Sequence, residues 1–283
     1  MDIQERLTVL PQYCIPQHLL SRAVGWLAEC PWPAVKDPVI SNFAKIYGVN
    51  MGEAERSSFS EYQHFNDFFT RSLVPGARPI CTDGIASPAD GAVSQLGLIE
   101  GDRIFQAKGH HYTLSQLLGG CDKRAAPFEN GSFATIYLSP KDYHRVHMPY
   151  GGVLKEMIYV PGQLFSVNTR TARQVPRLFA RNERVVCLFE TDRGPMALVL
   201  VGAMIVASIE TVWAGLVAPP KRRVVATSYA VEDQKAIELE RGDEMGRFKL
   251  GSTAIVVFPQ NAVSWREDLT EGTALRMGEK IGV

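Results

Sequence analysis

Residues 247–258 read RFKLGSTAIVVF, and the second half, Ala254 to Phe258, is an unbroken apolar run rich in strand-forming residues. Such a run reads as a buried strand. Directly ahead of it stands Gly251-Ser252-Thr253. Glycine inside a strand weakens it and marks a bulge or a close backbone approach. A serine beside it adds little packing. Read alone, the triplet is a bulge or turn at a strand start. The alternative is that the backbone at this point takes part in chemistry.

Working outward, short runs of the same texture fill the chain from about residue 80: GAVSQLGLI, RIFQA, SFATIYLS, GVLKEMIYV, RVVCLFE, MALVLVGA and MIVASI. Most are bounded by Gly, Pro, Asp or Asn. Strands at this density, without long helices between them, predict an antiparallel barrel or sandwich. The longest apolar stretch, Met196 to Ile209, has 14 residues with Gly202 near its centre. A bilayer span needs about 20. The β-branched residues predict two buried strands instead.

The first quarter differs. In residues 17–29, Leu20, Ala23, Val24 and Leu27 recur at helical spacing, and Pro31 and Pro33 follow. That pattern predicts an amphipathic helix. A second helix is expected at about 37–47, with Ile40, Phe43, Ala44 and Tyr47 on one side. A third, FNDFFTRSL, can start with Asn66 as its N-cap and end at Pro75-Gly76. The expected fold class is α+β: a helical N-terminal region on a mainly antiparallel β-barrel or sandwich core. Trp26 and Trp32, on or just beyond the first helix, suit either a packed core or a membrane–water interface.

Composition narrows the function classes. The chain has 283 residues, 46% hydrophobic and 21% charged, with Lys+Arg and Asp+Glu both at 30. Zero formal charge argues against bulk electrostatic binding of nucleic acid. Five cysteines, Cys14, Cys30, Cys81, Cys121 and Cys187, include no C-x-x-C pair, which argues against a zinc site or a disulfide framework. MDIQERLTVLPQYC lacks the apolar core of a signal peptide. No P-loop, no G-x-G-x-x-G after a strand and no H-E-x-x-H is found, and no local motif announces a cofactor lysine.

Three polar clusters remain. SPADGAV, Ser87 to Val93, places Asp90-Gly91 at a turn entering a strand. SPKDYHRVHMP, Ser139 to Pro149, holds His144 and His147. On a strand this separation puts them on opposite faces; on a helix or loop they could share a site. No pattern of further ligands completes a metal site around them. The third cluster is Gly251-Ser252-Thr253. Together they offer an acid, a base and a hydroxyl: Asp90, His147 or His144, and Ser252. Such a set can activate serine.

LGST followed by a strand, with PADG and YHRVHMP upstream, resembles the phosphatidylserine decarboxylases, the pyruvoyl-dependent membrane enzymes. FNDFFTR, YVPGQLFSVN, LFARNERVV and IETVWAG resemble further segments of that family, in the family's order. The resemblance covers the chain from about Ile15 onward. It implies a self-processing precursor. Ser252 attacks the carbonyl of Gly251, with His147 as general base and Asp90 orienting it. The chain is cut into a β chain, 1–251, and an α chain, 252–283. Ser252 becomes a covalent pyruvoyl group, which forms a Schiff base with phosphatidylserine and decarboxylates it to phosphatidylethanolamine and CO2, as a step of phospholipid biosynthesis. Neither a metal nor pyridoxal phosphate is expected.

The resemblance further implies that His144 assists decarboxylation and that Phe165 and Ser166 line the substrate pocket. It divides the chain into a membrane-associating region, 1–79, and a catalytic β-rich domain, 80–283. The expected molecule is a homodimer bound peripherally to the cytoplasmic face of the cell membrane. The helix at 17–29 and the basic segment Lys221, Arg222 and Arg223 are the candidate lipid contacts. The residues alone leave two alternatives: a serine hydrolase acting in trans with Asp90, His147 and Ser252, or a non-catalytic membrane-binding β domain.

Overall fold

The computed structural model describes residues 3–204, 208–218, 223–229, 236–249 and 252–283. Gly251, Lys221 and Arg222 lie outside the described residues, as do positions 205–207 of the MIVASI run.

The largest sheet runs, in spatial order, β12 (Val225–Ser228), β7 (Gly152–Val160), β8 (Arg184–Thr191), β9 (Gly194–Gly202), β15 (Ser252–Phe258), β5 (Ser132–Leu138), β2 (Gly91–Leu98) and β16 (Ala274–Leu275). The short β13 (Glu238–Leu239) also pairs with β7. A second sheet runs β11 (Gly215–Ala218), β10 (Ser208–Thr211), β14 (Glu244–Lys249) and β6 (Arg145–His147). Two small ladders pair β1 (Ile85–Ala86) with β17 (Lys280–Gly282), and β3 (Arg103–Ala107) with β4 (His110–Thr113). All these strand pairings are antiparallel. The edges of the large sheet, β12 and β16, do not meet, so the body is an open sandwich and not a closed barrel.

The Ser252–Phe258 run lies at the centre of this sheet. Every residue of β15 is buried, between β9 on one side and β5 on the other. Ala254, Val256 and Phe258 face the core shared with the second sheet, beside Val146, Ile209 and Phe248. Ile255 and Val257 face the opposite core, with Phe133, Phe165 and Val199. Burial on both faces explains why the run is continuous instead of alternating. Each fully buried Val, Ile or Phe contributes about 1.5–3 kcal/mol.

The three expected helices form, with three local differences, the first being that the FNDFFTRSL helix ends at Phe69 and does not run on to Pro75-Gly76. Helix α1 is Ile3–Cys14, α2 is Gln17–Ala28, α3 is Pro33–Tyr47 and α4 is Phe65–Phe69. Helix α3 starts at Pro33, earlier than residue 37, because a proline at the first helical position loses no hydrogen bond. Helix α4 is capped by His64, whose Nδ1 accepts from Asp67 N at 3.1 Å, and not by Asn66. Asn66 is helical and buried; its amide donates to Glu29 Oε1 at 2.7 Å.

The buried face of α2 consists of Gln17, Ser21, Gly25 and Ala28. Three of its large apolar residues point outwards: Leu19 is 59% exposed, Trp26 79% and Leu27 45%, while Val24 packs inward. Trp32, just beyond, is 70% exposed, so neither tryptophan is a core residue. Leu10, Tyr13 and Ile15 continue the exposed apolar surface onto α1 and the turn after it. A monomeric soluble protein rarely leaves such a run of large side chains in water. Among the described residues no helix is long and apolar enough to cross a membrane.

Candidate active site

Ser252 is the first residue of β15, opposite Leu138 of β5 and Gly202 of β9. It is fully buried, and its Oγ has no hydrogen-bond partner among the described residues. A buried hydroxyl without a partner costs on the order of 1–3 kcal/mol and needs an explanation. The peptide bond joining it to Gly251 begins at the edge of the described residues.

The two histidines lie at β6, on the other sheet. His147 is its last residue, and its backbone N donates to Pro88 O at 2.8 Å, which sets the Ser87–Asp90 turn against the strand. His147 Nδ1 is 2.7 Å from Gly242 O. A carbonyl oxygen only accepts, so Nδ1 carries the proton and Nε2 holds the free lone pair. Burial lowers the pKa of His147, which keeps the ring neutral. Tyr143 OH donates to that Nε2 at 3.2 Å.

Gly242 is the device that aims this carbonyl. Its φ is +89°, and a Cβ there would come within 2.9 Å of the Ile80 side chain. Its N–H donates to Met148 O at 2.9 Å, while Met148 N donates to Asp243 O at 2.8 Å. The turn is thereby pinned to the residue after His147.

His144 precedes β6 and points into a different environment. Its ring sits 4.0 Å from that of Phe69. Its Nδ1 donates to Asp142 O at 2.9 Å, so Nε2 again holds the lone pair, here without a partner. Complete burial pushes its pKa down to about 3. The two histidines thus sit in different environments: His147 Nε2 accepts from Tyr143, whereas His144 Nε2 has no partner among the described residues. Arg71 reaches the same loop: its Nη2 donates to Lys141 O at 3.0 Å and Asp142 O at 3.4 Å.

Asp90 is buried and held by three donors. Arg78 Nε reaches Oδ1 at 2.8 Å, Arg78 Nη2 reaches Oδ2 at 2.5 Å, and Met277 N reaches Oδ1 at 2.8 Å. Arg78 also pairs with Glu53 at 2.9 Å. No hydrogen bond joins Asp90 to His147 among the described residues. Its negative charge still favours the protonated form of His147, weakly, across the turn that Pro88 ties to β6. A cavity of about 500 Å³ is lined by Asp90, Arg71, Arg78, Tyr137, Asp142 and Tyr143.

The segment containing Phe165 and Ser166 is tied to the strand beside Ser252. Asn182 Oδ1 accepts from Phe165 N at 3.1 Å, and its Nδ2 donates to Phe165 O at 2.8 Å and to Gly202 O at 2.9 Å. Gly202 is the register partner of Ser252. From the other side, Gln17 Oε1 accepts from Leu164 N at 2.7 Å and Gln12 Oε1 from Ser166 N at 3.0 Å. The helices that expose their apolar face thus hold this loop. A pocket of about 200 Å³ lies between them, lined by Gln12, Tyr13, Gln17, His18 and Phe165.

Sequence reasoning reached Asp90, His144, His147, Ser252, Phe165 and Ser166. It missed Gly242, Tyr143, Arg78, Arg71, Asn182 and the two glutamines. Tyr143 stood in the quoted histidine cluster without a role. Gly242 carries the turn signal Arg241-Gly242-Asp243, but nothing local links it to His147, 95 residues away.

The architecture and site define a class: an α+β protein with a buried strand-opening serine, two buried histidines and N-terminal helices that expose large apolar side chains. A family model described as phosphatidylserine decarboxylase matches residues 65–283, and a second, described as PSD, matches residues 7–48. The phosphatidylserine decarboxylase proenzyme of Ectopseudomonas mendocina is 61% identical over 282 residues, covering 99% of both chains. That of Pseudomonas entomophila is 62% identical over 283 residues, with the same coverage. That of Pseudomonas aeruginosa is 58% identical over 285 residues, covering 100% of this chain and 99% of the relative. The chain belongs to the phosphatidylserine decarboxylase family.

Proposed function

We propose that this chain is a precursor that cuts itself between Gly251 and Ser252 and then decarboxylates phosphatidylserine to phosphatidylethanolamine and CO2. The observation that carries the reading is Ser252 Oγ: a buried, unpartnered hydroxyl at the first residue of the central strand. The proenzyme name of the relatives supports processing.

In the first reaction the base is His147 Nε2. It takes the Oγ proton of Ser252 as the oxygen attacks the Gly251 carbonyl, and the peptide bond becomes an ester. Removal of the Cα proton of residue 252 then expels the Gly251 carboxylate and leaves dehydroalanine, whose hydrolysis yields ammonia and the pyruvoyl group. Gly242 O holds the ring in the competent tautomer. Asp90 contributes its charge and, through Met277 N, ties the base region to the C-terminal segment. That segment, residues 252–283, remains bound after cutting because β15, β16 and β17 all pair with strands of the preceding chain.

The donor set fits such a group: residue 252 is enclosed, and among the described residues no charged side chain pairs with its Oγ. When formed, the pyruvoyl group supplies a carbonyl that withdraws electrons from the substrate as CO2 leaves. The substrate arrives as an ammonium and must shed a proton; its α-carbon gains one after CO2 departs. His144 Nε2, without a hydrogen-bond partner among the described residues, is the group we assign to proton transfer in this step. Phe165 and Ser166 border the substrate. Residues 1–79 form the membrane-associating region, with Leu19, Trp26 and Trp32 at the lipid interface on the cytoplasmic face.

The proenzyme name of the relatives favours self-processing over a hydrolase acting in trans. The test separates the two reactions. Ser252→Ala is expected to stay uncut and inactive, and His147→Ala and Asp90→Asn to cut slowly or not at all. His144→Ala is expected to cut but to release little CO2. Normal cutting in Ser252→Ala sinks the mechanism, and equal loss of both reactions in His144→Ala removes its separate role.

A further inference from the structure

We infer that Tyr143 is a positioning residue that holds the cleavage base in reserve. The inference rests on the assignment of His147 as that base. With Nδ1–H committed to Gly242 O at 2.7 Å, the neutral ring has one remaining lone pair, on Nε2. Tyr143 OH occupies it at 3.2 Å. A serine hydroxyl that is to lose its proton to His147 needs the same lone pair. Ser252 Oγ, meanwhile, has no hydrogen-bond partner among the described residues. In the uncut chain, therefore, the tyrosine hydroxyl stands where the serine hydroxyl must come.

A relay is the other arrangement chemistry allows, because a phenolic oxygen can donate to His147 and accept from Ser252 at once. In that case Ser252 Oγ would donate to Tyr143, and it does not. Tyr143 also has no second task that competes with this one. It is buried, its ring lies 5.7 Å from that of His147, and His147 Nε2 is the hydrogen-bond partner of its hydroxyl. Burial pushes the phenol up to about 12, so it remains a proton-bearing donor at neutral pH.

Cutting then requires an exchange: Tyr143 O–H releases Nε2, and Ser252 O–H takes its place. Chain cleavage waits on that exchange, so the backbone is not cut as soon as the sheet closes. The interaction at stake is a single hydrogen bond. Removing it should speed cutting by about 2- to 10-fold, the range that one such bond corresponds to.

Tyr143→Phe keeps the ring and deletes only the hydroxyl. The first-order rate at which freshly synthesised precursor becomes the 252–283 fragment is followed by intact mass in wild type and Tyr143→Phe. In the uncuttable Ser252→Ala chain, the 15N resonance of His147 Nε2 is recorded with and without Tyr143→Phe. The expected results are faster cutting and a shift of that resonance toward an unbonded acceptor nitrogen. A merely structural role would not raise the rate. Equal or slower cutting, or an unmoved Nε2 resonance, overturns the inference. A wild-type chain that never cuts overturns the assignment of His147 as base instead, and the resonance still decides whether Tyr143 holds it.

Discussion

His147 donates its Nδ1 proton to the carbonyl oxygen of Gly242 at 2.7 Å, a bond between residues 95 apart in the chain. In a serine-activating triad a carboxylate usually holds the base's Nδ1–H. Here a backbone carbonyl does so, and the nearby carboxylate, Asp90, is occupied by Arg78 and Met277 N. The His147 ring is thus oriented by a turn, and the turn depends on one glycine.

Gly242→Ala places a Cβ against Ile80 in a backbone conformation that alanine resists, at a cost of about 1–3 kcal/mol. Relief of that strain moves the carbonyl away from Nδ1. Self-cleavage is expected to slow about 10- to 100-fold, the scale of a misplaced catalytic group. Timed intact-mass measurements check it; an unchanged rate removes Gly242 from the mechanism.

Arg78→Gln leaves the Asp90 carboxylate buried with one backbone donor and no charge partner. Side-chain exposure of the pair is 8% and 9%. Breaking one partner of a buried pair costs about 3–5 kcal/mol. Urea denaturation in the uncuttable Ser252→Ala background should show that loss, and Arg78→Gln combined with Asp90→Asn should recover part of it. Additive losses would contradict the pairing.

Both site histidines are neutral when folded. Burial takes His144 from the ordinary 6.5 to about 3 and lowers His147 as well. In the unfolded chain each binds a proton as pH falls through 6.5; in the folded chain burial delays each to a lower pH. The unfolded state then holds more protons, so stability rises with pH and is lost on acidification. Between pH 6.5 and 5 the loss approaches about 1.4 kcal/mol per pH unit for His144, and His147 adds to it in the same direction. Urea midpoints of the Ser252→Ala chain test this, and His144→Gln should flatten the slope. Equal slopes in both chains would contradict it.

Gln17→Ala removes the acceptor for Leu164 N and leaves a buried N–H unpaired, a cost of about 1–3 kcal/mol. The Phe165–Ser166 loop loses its tether to α2, whereas the cleavage residues lie elsewhere. Cutting should proceed normally while CO2 release from phosphatidylserine vesicles falls several-fold. Parallel loss of both reactions would mean that the glutamine supports the fold alone.

The central strand was legible in the sequence because burial on both faces leaves a continuous apolar run. Helix α2 was legible as a helix, but the position of its buried side was not. Gln17, Ser21, Gly25 and Ala28 look like a solvent face. They are buried because small side chains allow close approach and the Gln17 amide meets backbone groups of Gln12 on α1 and of Leu164 in a distant loop. The choice of His64 over Asn66 as the α4 cap was likewise not local, since Asn66 is drawn inward to Glu29. Within the site, side chains that carry chemistry in their own atoms were readable. Gly242 and Asn182 act through backbone geometry across the fold, and no short pattern encodes that.

The central claim is that one peptide bond, Gly251–Ser252, is broken by the chain itself. Intact mass spectrometry of the purified wild-type protein tests it most directly. Two chains are predicted, the smaller comprising residues 252–283 with a blocked N-terminus that lacks the amine of Ser252. A single chain of 283 residues with Ser252 intact would contradict it.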